Sequence, residues 1–504
     1  MIAGVLTHPA TDVVVGSFVT NRFFSFGFWF VDILLLLAVA GVVIVLATDD
    51  RDPSTVLAWL FVVLLLPVLG LIAYFFIGRN FRRDTPRRRK IMAQMDAVAA
   101  ESLAPVQAAN TEFTEDAVND LAATPGARIE SVGREEGGVS PLPADTIDIY
   151  TAGSQKFPAL LAEMAGAERY IHLMYLIWEQ DELTAKVKEV LLDRMKAGVK
   201  VHILYDWLSC ISYKKDELKE LAAAGAVVMP CYKRLPQINY RNHMKMVIID
   251  GKSVYSGGMN MGQEYIDGGP RFDVWRDTSF RLSGPVVAPY LMLYASTWLY
   301  NGGKEDLATD FMPPAEEHRR HEGTPVQVLH SSVQTTFKTN RDVFITALTN
   351  ARERIWIQSP YFVPDEPLIT AMGTAAASGI DVRFMMTGIP DKKIPFYAAH
   401  AYYPQLLRAG VKVYQYKAGF LHAKTVTVDH QLSIIGTCNW DIRSLILHDE
   451  VVAVFYDRGV ATDYADHYER DLMECEEVTW AYLDTFTRGQ RFRNSCYRLF
   501  SRLL

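Results

Sequence analysis

One pattern of residues occurs twice in this sequence and constrains the fold more than any other feature. The pattern H-x-K-x4-D-x6-G-[GT]-x-N runs from His243 to Asn260 and again from His422 to Asn439, with the same internal spacings. A single short pattern arises easily by chance, whereas two copies that share this many positions do not. The chain is therefore predicted to contain two homologous halves, each built around one copy.

The local sequence of each copy predicts a buried strand followed by a glycine-containing turn. The residues after each lysine, Met246 to Ile249 and Thr425 to Val428, are mostly β-branched or apolar, as in buried strands. Alternation along a strand places the histidine and the lysine, two positions apart, on the same face. The turn lets backbone approach a bound group and returns Asn260 or Asn439 to the same pocket.

A histidine, a lysine and an asparagine on one small surface suit a phosphate group. Imidazole can attack phosphorus or donate a proton, while ammonium and carboxamide donate to phosphoryl oxygens. Where two such halves meet, one histidine can attack while the other faces the leaving oxygen. The lysines and asparagines then hold the phosphoryl charge, so we expect neither a metal nor a cofactor. The residues by themselves predict phosphodiester transfer at a membrane.

The two copies resemble the paired HKD motifs of the phospholipase D superfamily. The strings YLIWEQD, GGMNMGQEY, WRDT, SPYFVPDEP and DIRSL are similar, more narrowly, to those of bacterial cardiolipin synthases. The resemblance implies a phosphohistidine intermediate and transfer between two phosphatidylglycerol molecules, which yields cardiolipin and glycerol. The catalytic residues it implies are His243, Lys245, Asp250, His422, Lys424 and Asp429, completed by Asn260 and Asn439. The two aspartates end the motif strands, and we expect them to be more architectural than chemical.

Sequence similarity between the halves extends beyond the motifs. The segment from Gly166 to Trp178 parallels that from Ala351 to Val363, and each half alternates helical and strand patterns. This alternation predicts an α/β sandwich around a largely parallel sheet. The expected fold is two fused, pseudo-symmetric phospholipase D-like lobes. The expected segments are a first lobe (144–300), an interlobe linker (301–325), a second lobe (326–487) and a basic amphipathic C-terminus (488–504), either an interfacial or a capping helix.

Two apolar stretches near the N-terminus predict a transmembrane hairpin over residues 23–77. The spans, Phe23 to Ala47 and Val56 to Ile77, are long enough to cross the hydrocarbon layer as helices. A signal peptide and a buried soluble hairpin are the alternatives, and residues 1–22 carry little pattern. A connector follows from 78 to 143, partly helical from Met92 to Leu121 and a loop from Thr124 to Pro143.

Charges beside the apolar stretches predict the orientation of the hairpin. Gly78 to Lys90 holds seven basic residues and one acid, whereas the link between the stretches is mostly acidic. The positive-inside rule therefore places the catalytic region in the cytoplasm, behind a multi-pass anchor in the bacterial cell (inner) membrane. The basic residues are expected to contact anionic lipids.

The overall charge and the cysteines exclude other classes of protein. A net charge of −7 and a pI near 6.0 argue against nucleic acid as a partner. The five cysteines are scattered and lack C-x-x-C spacing, which indicates reduced thiols and no zinc site.

Two further acids are candidates for orienting the histidines. Each catalytic imidazole needs an acceptor on its far nitrogen, and Asp250 and Asp429 lie too far along their strands. Asp277 and Glu450 follow the two motifs at similar offsets, and each can reach the histidine of its own lobe or of the opposite one. The alternative is a surface ion pair, Asp277 with Arg276 or Arg271 and Glu450 with Arg443.

Two other functions share these residues: a phospholipase D-type hydrolase or nuclease, and a non-enzymatic membrane scaffold. Neither motif lacks a member, which argues against the scaffold. His448 and Asp449 stand where the family usually has Asn-Phe, and the segment HSSVQTTFKTN lacks the family's Ser-Gly-Pro string.

Overall fold

The computed structural model describes residues 31–48, 53–78, 86–211, 215–233, 239–305, 307 and 311–500. The chain forms two compact units, Met1–Arg83 and Asp84–Leu504. The helices of the first unit cover residues 31–47 (α1), Pro53–Leu65 (α2) and Pro67–Ala73 (α3), followed by a π-helical turn at Tyr74–Gly78. Leu46, Trp59, Val63 and Tyr74 pack together.

The second apolar stretch is not a single helix, contrary to the prediction for residues 56–77. Helix α2 ends at Leu65, and α3 starts with Pro67 in its first turn, because proline lacks the N–H that a continuous helix needs. Within the described ranges, none of the helices combines the length and the apolarity needed to cross a membrane. Residues 1–22, and the start of the first predicted span at 23–30, lie outside the described residues.

The second unit carries all the strands that the structure describes. They are Leu142–Ala144 (β1), Thr146–Tyr150 (β2), Tyr170–Tyr175 (β3), Lys200–Asp206 (β4), Val227–Cys231 (β5), Met246–Ile249 (β6), Ser253–Gly257 (β7), Trp275–Arg276 (β8), Ser279–Ser283 (β9), Thr324–Ser331 (β10), Arg354–Gln358 (β11), Phe362–Val363 (β12), Asp381–Thr387 (β13), Lys412–Tyr416 (β14), Phe420–Leu421 (β15), Thr425–Val428 (β16), Leu432–Gly436 (β17), Trp440–Asp441 (β18), Glu450–Phe455 (β19) and Cys475–Glu477 (β20).

Helices of this unit surround its two main sheets. They are Pro86–Ser102 (α4), Ala104–Ala109 (α5), Thr111–Leu121 (α6), Gly126–Gly137 (α7), Gly153–Ala165 (α8), Glu182–Lys196 (α9), Asp216–Ala223 (α10), Glu264–Asp267 (α11), Val287–Asn301 (α12), Thr339–Asn350 (α13), Glu366–Ala377 (α14), Lys393–His400 (α15), Tyr403–Arg408 (α16), Ile442–Ile446 (α17), Arg458–Met473 (α18), Trp480–Asp484 (α19) and Arg488–Phe500 (α20).

Each lobe is built on one mixed sheet. The first-lobe order is β2-β9-β7-β6-β3-β4-β5, and the second-lobe order is β1-β10-β19-β17-β16-β11-β13-β14-β20. Within these two sheets only β3-β4-β5 and β11-β13-β14 are parallel, so the prediction of largely parallel sheets is wrong. Helices connect these strands, whereas each motif strand turns directly into its neighbour, which forces antiparallel pairing.

The C-terminal part of the connector, from α7 to β1, belongs structurally to the second lobe, whereas α4 packs on α12 of the first lobe. Helix α7 occupies Gly126–Gly137, so the predicted loop from Thr124 to Pro143 is wrong there. It packs on α13, and β1 pairs with β10 at the edge of the second-lobe sheet. At the other end of the chain, α20 packs on α15, as a capping helix does, with its Phe492 exposed.

Candidate active site

The two motif histidines meet where the lobes contact each other. The backbone N–H of His243 donates to the carbonyl of Asp449 at 2.9 Å, and that of His422 donates to the carbonyl of Arg276 at 2.7 Å. Strand β15, just before His422, also pairs in parallel with β8 of the first lobe. Each motif strand therefore begins against a segment of the opposite lobe, and these crossed contacts hold both imidazoles at one interface.

A carboxylate from the opposite lobe contacts each imidazole. Nδ1 of His422 lies 2.7 Å from Oδ2 of Asp277, and Nδ1 of His243 lies 2.8 Å from the nearer oxygen of Glu450. Both acids are fully buried, and both histidines are nearly so. The two acids therefore pair with histidines rather than with the surface arginines of the alternative interpretation. With Nδ1–H donated to a carboxylate, Nε2 of each ring is left for a substrate.

Asp277 and Glu450 occupy equivalent positions despite their different distances in sequence from the motifs. In the first lobe Ser279 pairs with Gly257, and in the second Val452 pairs with Gly436. Each acid comes two residues before the partner of the motif glycine, so both carboxylates lie beside the end of the strand that follows the motif strand, β7 or β17. This equivalence lies in strand register and not in sequence spacing.

The residue after the motif glycine accommodates each acid differently. In the first copy it is Gly258, where a Cβ would overlap the carboxylate of Asp277. In the second copy it is Thr437, whose hydroxyl donates to Oε2 of Glu450 at 2.5 Å. The shorter acid therefore sits against a glycine, and the longer acid is held by a hydroxyl.

The motif lysines are buried beneath the histidines. Nζ of Lys245 donates to the carbonyl of His243 at 2.7 Å, and Nζ of Lys424 donates to the carbonyl of His422. Burial lowers the pKa of Lys245 to about 7 and that of Lys424 to about 8. An anion bound beside them would favour their charged forms, so a bound phosphate would raise the pKa of both lysines.

Burial also keeps the two imidazoles neutral before a substrate binds. It lowers the pKa of His422 to about 4, an effect that Lys424 reinforces and Asp277 opposes. Burial, Lys245 and Lys424 together hold the pKa of His243 well below its usual value. Burial would raise the pKa of Asp277, but Lys424 and His422 outweigh it, and the carboxyl pKa is lowered. Each ring therefore presents an unprotonated Nε2 at neutral pH.

The aspartates of the two motifs lie in the hairpin turns and not against the imidazoles. Asp250 accepts the backbone N–H groups of residues 168–170 at 2.8–2.9 Å. Asp429 accepts those of residues 352–354 at 2.7–2.9 Å. Both have positive φ, 54° and 50°. Each carboxylate ties its hairpin to the start of the neighbouring strand, β3 or β11, which is an architectural arrangement.

The motif asparagines carry buried atoms without a partner. Oδ1 of Asn260 and Oδ1 of Asn439 have no hydrogen-bond partner among the described residues. Nδ2 of Asn260 donates to the Tyr265 hydroxyl at 2.9 Å, and that hydroxyl lies 3.5 Å from Nδ1 of His422. Unpaired polar atoms in a buried site are costly unless a ligand completes them. Tyr265 was not predicted to be a site residue, although it ends the string GGMNMGQEY.

One group of side chains near His243 has the composition of a metal site. His243, His448 and Glu450 each bring a donor atom within 4.8 Å of the others. However, Nε of Arg443 lies 3.2 Å from Nε2 of His448, and a guanidinium beside the cluster repels a divalent cation. The surroundings of this cluster suit an anion better than a metal.

Comparisons with known proteins agree with this geometry. A family model described as "Cardiolipin synthase, PLD-like domain" matches residues 160–268 and 344–472, and one described as "Phospholipase_D-nuclease N-terminal" matches residues 33–79. The cardiolipin synthase of Halalkalibacterium halodurans is 32% identical over 97% of both chains. Cardiolipin synthase 2 of Bacillus anthracis is 35% identical over 91% of this chain and 89% of its own.

A solved structure shares the fold of the two lobes. The phosphatidylserine synthase of Haemophilus influenzae Rd KW20 superposes with a TM-score of 0.58 at 14% identity, over 75% of this chain and 100% of its own. The fold, the duplicated motif and the full-length relatives agree with one another: the chain belongs to the cardiolipin synthase family, with two phospholipase D-like domains.

Proposed function

We propose that this enzyme transfers a phosphatidyl group from one phosphatidylglycerol molecule to another, with release of glycerol. Relatives that carry the name cardiolipin synthase match nearly its whole length, which supports the reaction class. The observation that carries the proposal is the pair of crossed contacts, His422 with Asp277 and His243 with Glu450. With two oriented imidazoles at one interface, one can attack phosphorus while the other protonates the leaving oxygen.

The first half-reaction forms a bond from phosphorus to Nε2 of one histidine and breaks the bond to the glycerol oxygen. The other histidine, protonated on Nε2, gives that proton to the departing glycerol. Its low pKa rises when the anionic phosphodiester binds, because a nearby negative charge favours imidazolium. The opposite-lobe carboxylate stabilises this charged ring and keeps its orientation.

The second half-reaction reverses these roles with a new alcohol. The now neutral histidine takes the proton of a hydroxyl on the second phosphatidylglycerol, and that oxygen attacks phosphorus. The phosphorus–nitrogen bond breaks, which regenerates the first histidine and releases cardiolipin. Throughout, Lys245, Lys424 and the two motif asparagines hold the phosphoryl oxygens. Water must be kept from the intermediate, since its attack would yield phosphatidic acid.

We also propose that the first unit anchors the enzyme as a two-span hairpin in the bacterial cell membrane, with the catalytic unit on the cytoplasmic side. Apolar side chains such as Leu36, Leu57 and Phe61 are about two-thirds exposed (68%, 65% and 66%), as suits contact with lipid. The match of residues 33–79 to the phospholipase D N-terminal family model adds support. The basic residues that follow suit anionic headgroups.

The experiment that tests the proposed function is lipid analysis after purified full-length protein acts on phosphatidylglycerol labelled in both the acyl chain and the headgroup. Cardiolipin and free glycerol in equal amounts are the expected products. Phosphatidic acid without cardiolipin would show a hydrolase instead, and unchanged lipid would show a scaffold. The matched control is the His243→Ala, His422→Ala double variant, which removes both imidazoles.

A further inference from the structure

Arg443 lies beside the catalytic interface and is not used in the chemistry described above. It belongs to the short helix α17, and its Nε contacts Nε2 of His448 at 3.2 Å. The His448 ring lies 5.7 Å from the His243 ring, centroid to centroid. The guanidinium is therefore separated from a catalytic imidazole by one side chain.

The positive charge of Arg443 has no direct counter-ion in the described part of the chain. Its guanidinium also donates to the carbonyl of Asn239 at 3.1 Å, but no described carboxylate forms an ion pair with it within 4.0 Å. Asp441, the acid nearest in sequence, accepts the backbone N–H groups of Arg443 and Ser444 with one oxygen. A half-buried guanidinium held by a carbonyl and a neutral imidazole keeps most of its charge available for an anion.

A second arginine lies on the same side of the interface. Arg241 precedes His243 by two residues, and its carbonyl accepts the backbone N–H of Asp449 at 2.9 Å. Its Nε lies 3.9 Å from Asp206. Burial, and next the charge of Arg241, lower the pKa of Arg443 to about 10, so Arg443 remains a cation at neutral pH. The two guanidinium groups are close enough to repel each other, and an anion between them would relieve this repulsion.

The equivalent position in the other lobe holds an acid instead of an arginine. Arg443 is the fourth residue after the motif asparagine Asn439, and the fourth residue after Asn260 is Glu264. Glu264 lies among other acids, and burial together with Glu179 and Asp181 raises its pKa to about 7. Arg443 thus places a cation on the His243 side at the position where the first lobe has a carboxyl group beside Tyr265. Only the cationic side suits a second phosphate.

The acceptor lipid brings such a phosphate to the site. Its attacking hydroxyl belongs to a glycerol headgroup whose other end is esterified to phosphate, so a phosphodiester lies one glycerol length from the reacting phosphorus. We infer that Arg443, together with Arg241, binds the phosphodiester of the acceptor phosphatidylglycerol. This subsite rests on the proposed transfer reaction and names the group that distinguishes a lipid acceptor from glycerol or water.

Two reactions of the full-length enzyme with the same donor test this subsite. Cardiolipin formation uses phosphatidylglycerol as the acceptor, whereas exchange of labelled glycerol into phosphatidylglycerol uses a neutral acceptor without a phosphate. We expect Arg443→Gln to lower cardiolipin formation about tenfold or more, as expected for lost charge-assisted hydrogen bonds, through a higher KM for the acceptor. Glycerol exchange should stay within about twofold, since the phosphoryl site is unchanged. Arg443→Lys should recover part of the lost rate.

The exposed Arg458, at the start of α18 in the same lobe, provides the matched control, and Arg458→Gln should leave both reactions unchanged. Arg241→Gln is the second variant and should show the same selective loss if Arg443→Gln does not fold. Equal losses in both reactions would instead assign Arg443 to positioning His448, and no loss in either would also overturn the subsite. If the unaltered enzyme makes phosphatidic acid but no cardiolipin, the proposed function itself fails and the subsite fails with it.

Discussion

Nδ1 of His422 lies 2.7 Å from Oδ2 of Asp277, although the two residues belong to different lobes. The equivalent contact joins His243 of the first lobe to Glu450 of the second. Each lobe therefore contributes one motif histidine and the carboxylate that contacts the motif histidine of the other lobe. Neither motif histidine pairs with a described carboxylate of its own lobe, so we expect catalysis to depend on how the lobes are packed together.

The first prediction concerns the two opposite-lobe carboxylates. Asp277→Asn and Glu450→Gln keep the shape of the side chain but remove the charge that orients the ring, and the amide can favour the wrong tautomer. Turnover is expected to fall by roughly three to four orders of magnitude, as for other oriented imidazoles. The measurement is kcat for cardiolipin formation, with thermal unfolding to show that the fold is kept. The exposed Asp267 is the control, and Asp267→Asn should be neutral. Near-normal kcat in both variants would show that other groups orient the rings.

The second prediction concerns the two histidines as a unit. His243→Ala and His422→Ala should each remove nearly all activity, and the double variant should be little worse than either, because residues that act in one step are non-additive. Mass spectrometry after acid-free quenching should find a phosphatidyl group on one of these two histidines in the unaltered enzyme. A phosphatidyl group attached to any other side chain would contradict the assignment.

The third prediction separates the motif aspartates from the chemistry. Asp250 and Asp429 each accept three backbone N–H groups at a turn with positive φ. Asp250→Ala or Asp429→Ala should destabilise the fold by about 3 kcal/mol, since bonds to a charged acceptor are worth about 1.5–3 kcal/mol each and are not additive. Asn tolerates positive φ and should cost less. At low temperature the folded fraction should keep its kcat, and a folded but inactive Asp250→Asn would assign the residue to catalysis.

The fourth prediction is a pH dependence. Burial lowers the pKa of Lys245 to about 7, so in the free enzyme its charge is present below that pH and is lost as the pH rises through it. A bound phosphodiester raises this pKa again. Because kcat/KM reports on the free enzyme and kcat on the complex, kcat/KM should fall above about pH 7 while kcat persists to higher pH. Lys245→Arg stays charged and should move the fall in kcat/KM upward. An unmoved profile in both Lys245→Arg and Lys424→Arg would attribute it to another group.

The sequence predicts the candidate catalytic residues but not how the two lobes contribute them. The motif spacing is local, so the buried strands at Met246–Ile249 and Thr425–Val428 were predicted with the bounds that the structure has. Which histidine Asp277 contacts depends on packing between lobes, and no local pattern encodes that choice. The parallel-sheet prediction was wrong because alternating helices and strands describe only part of each lobe, before the motif hairpins begin.

Some contacts of the site carry no signal in a single sequence. Tyr265 and Thr437 lie in strings that the sequence singles out, but only the folded contacts with Asn260 and Glu450 connect them to the histidines. Lys156 of α8 is another case: its Nζ donates to the carbonyl of Met259 at 3.5 Å, the side chain is buried, and burial lowers its pKa to about 7. Burial of this kind depends on which elements cover a helix, and that is settled by tertiary packing.

The last prediction concerns the unequal turns that hold the two acids. The Thr437 hydroxyl donates to Glu450 at 2.5 Å and accepts the backbone N–H of Val451 at 3.0 Å, whereas Gly258 leaves the equivalent space to Asp277. Thr437→Val keeps the volume but removes the donor, so kcat should fall about tenfold, the effect of one lost hydrogen bond to a charged group. Thr437→Ser keeps the hydroxyl and should stay within about twofold of the unaltered enzyme.

Gly258→Thr should abolish turnover without preventing folding, because its side chain would displace the Asp277 carboxylate from His422. The measurement is kcat for all three variants beside their thermal unfolding midpoints. An active Gly258→Thr, or an inactive and well-folded Thr437→Ser, would show that the two turns do not act through the carboxylates.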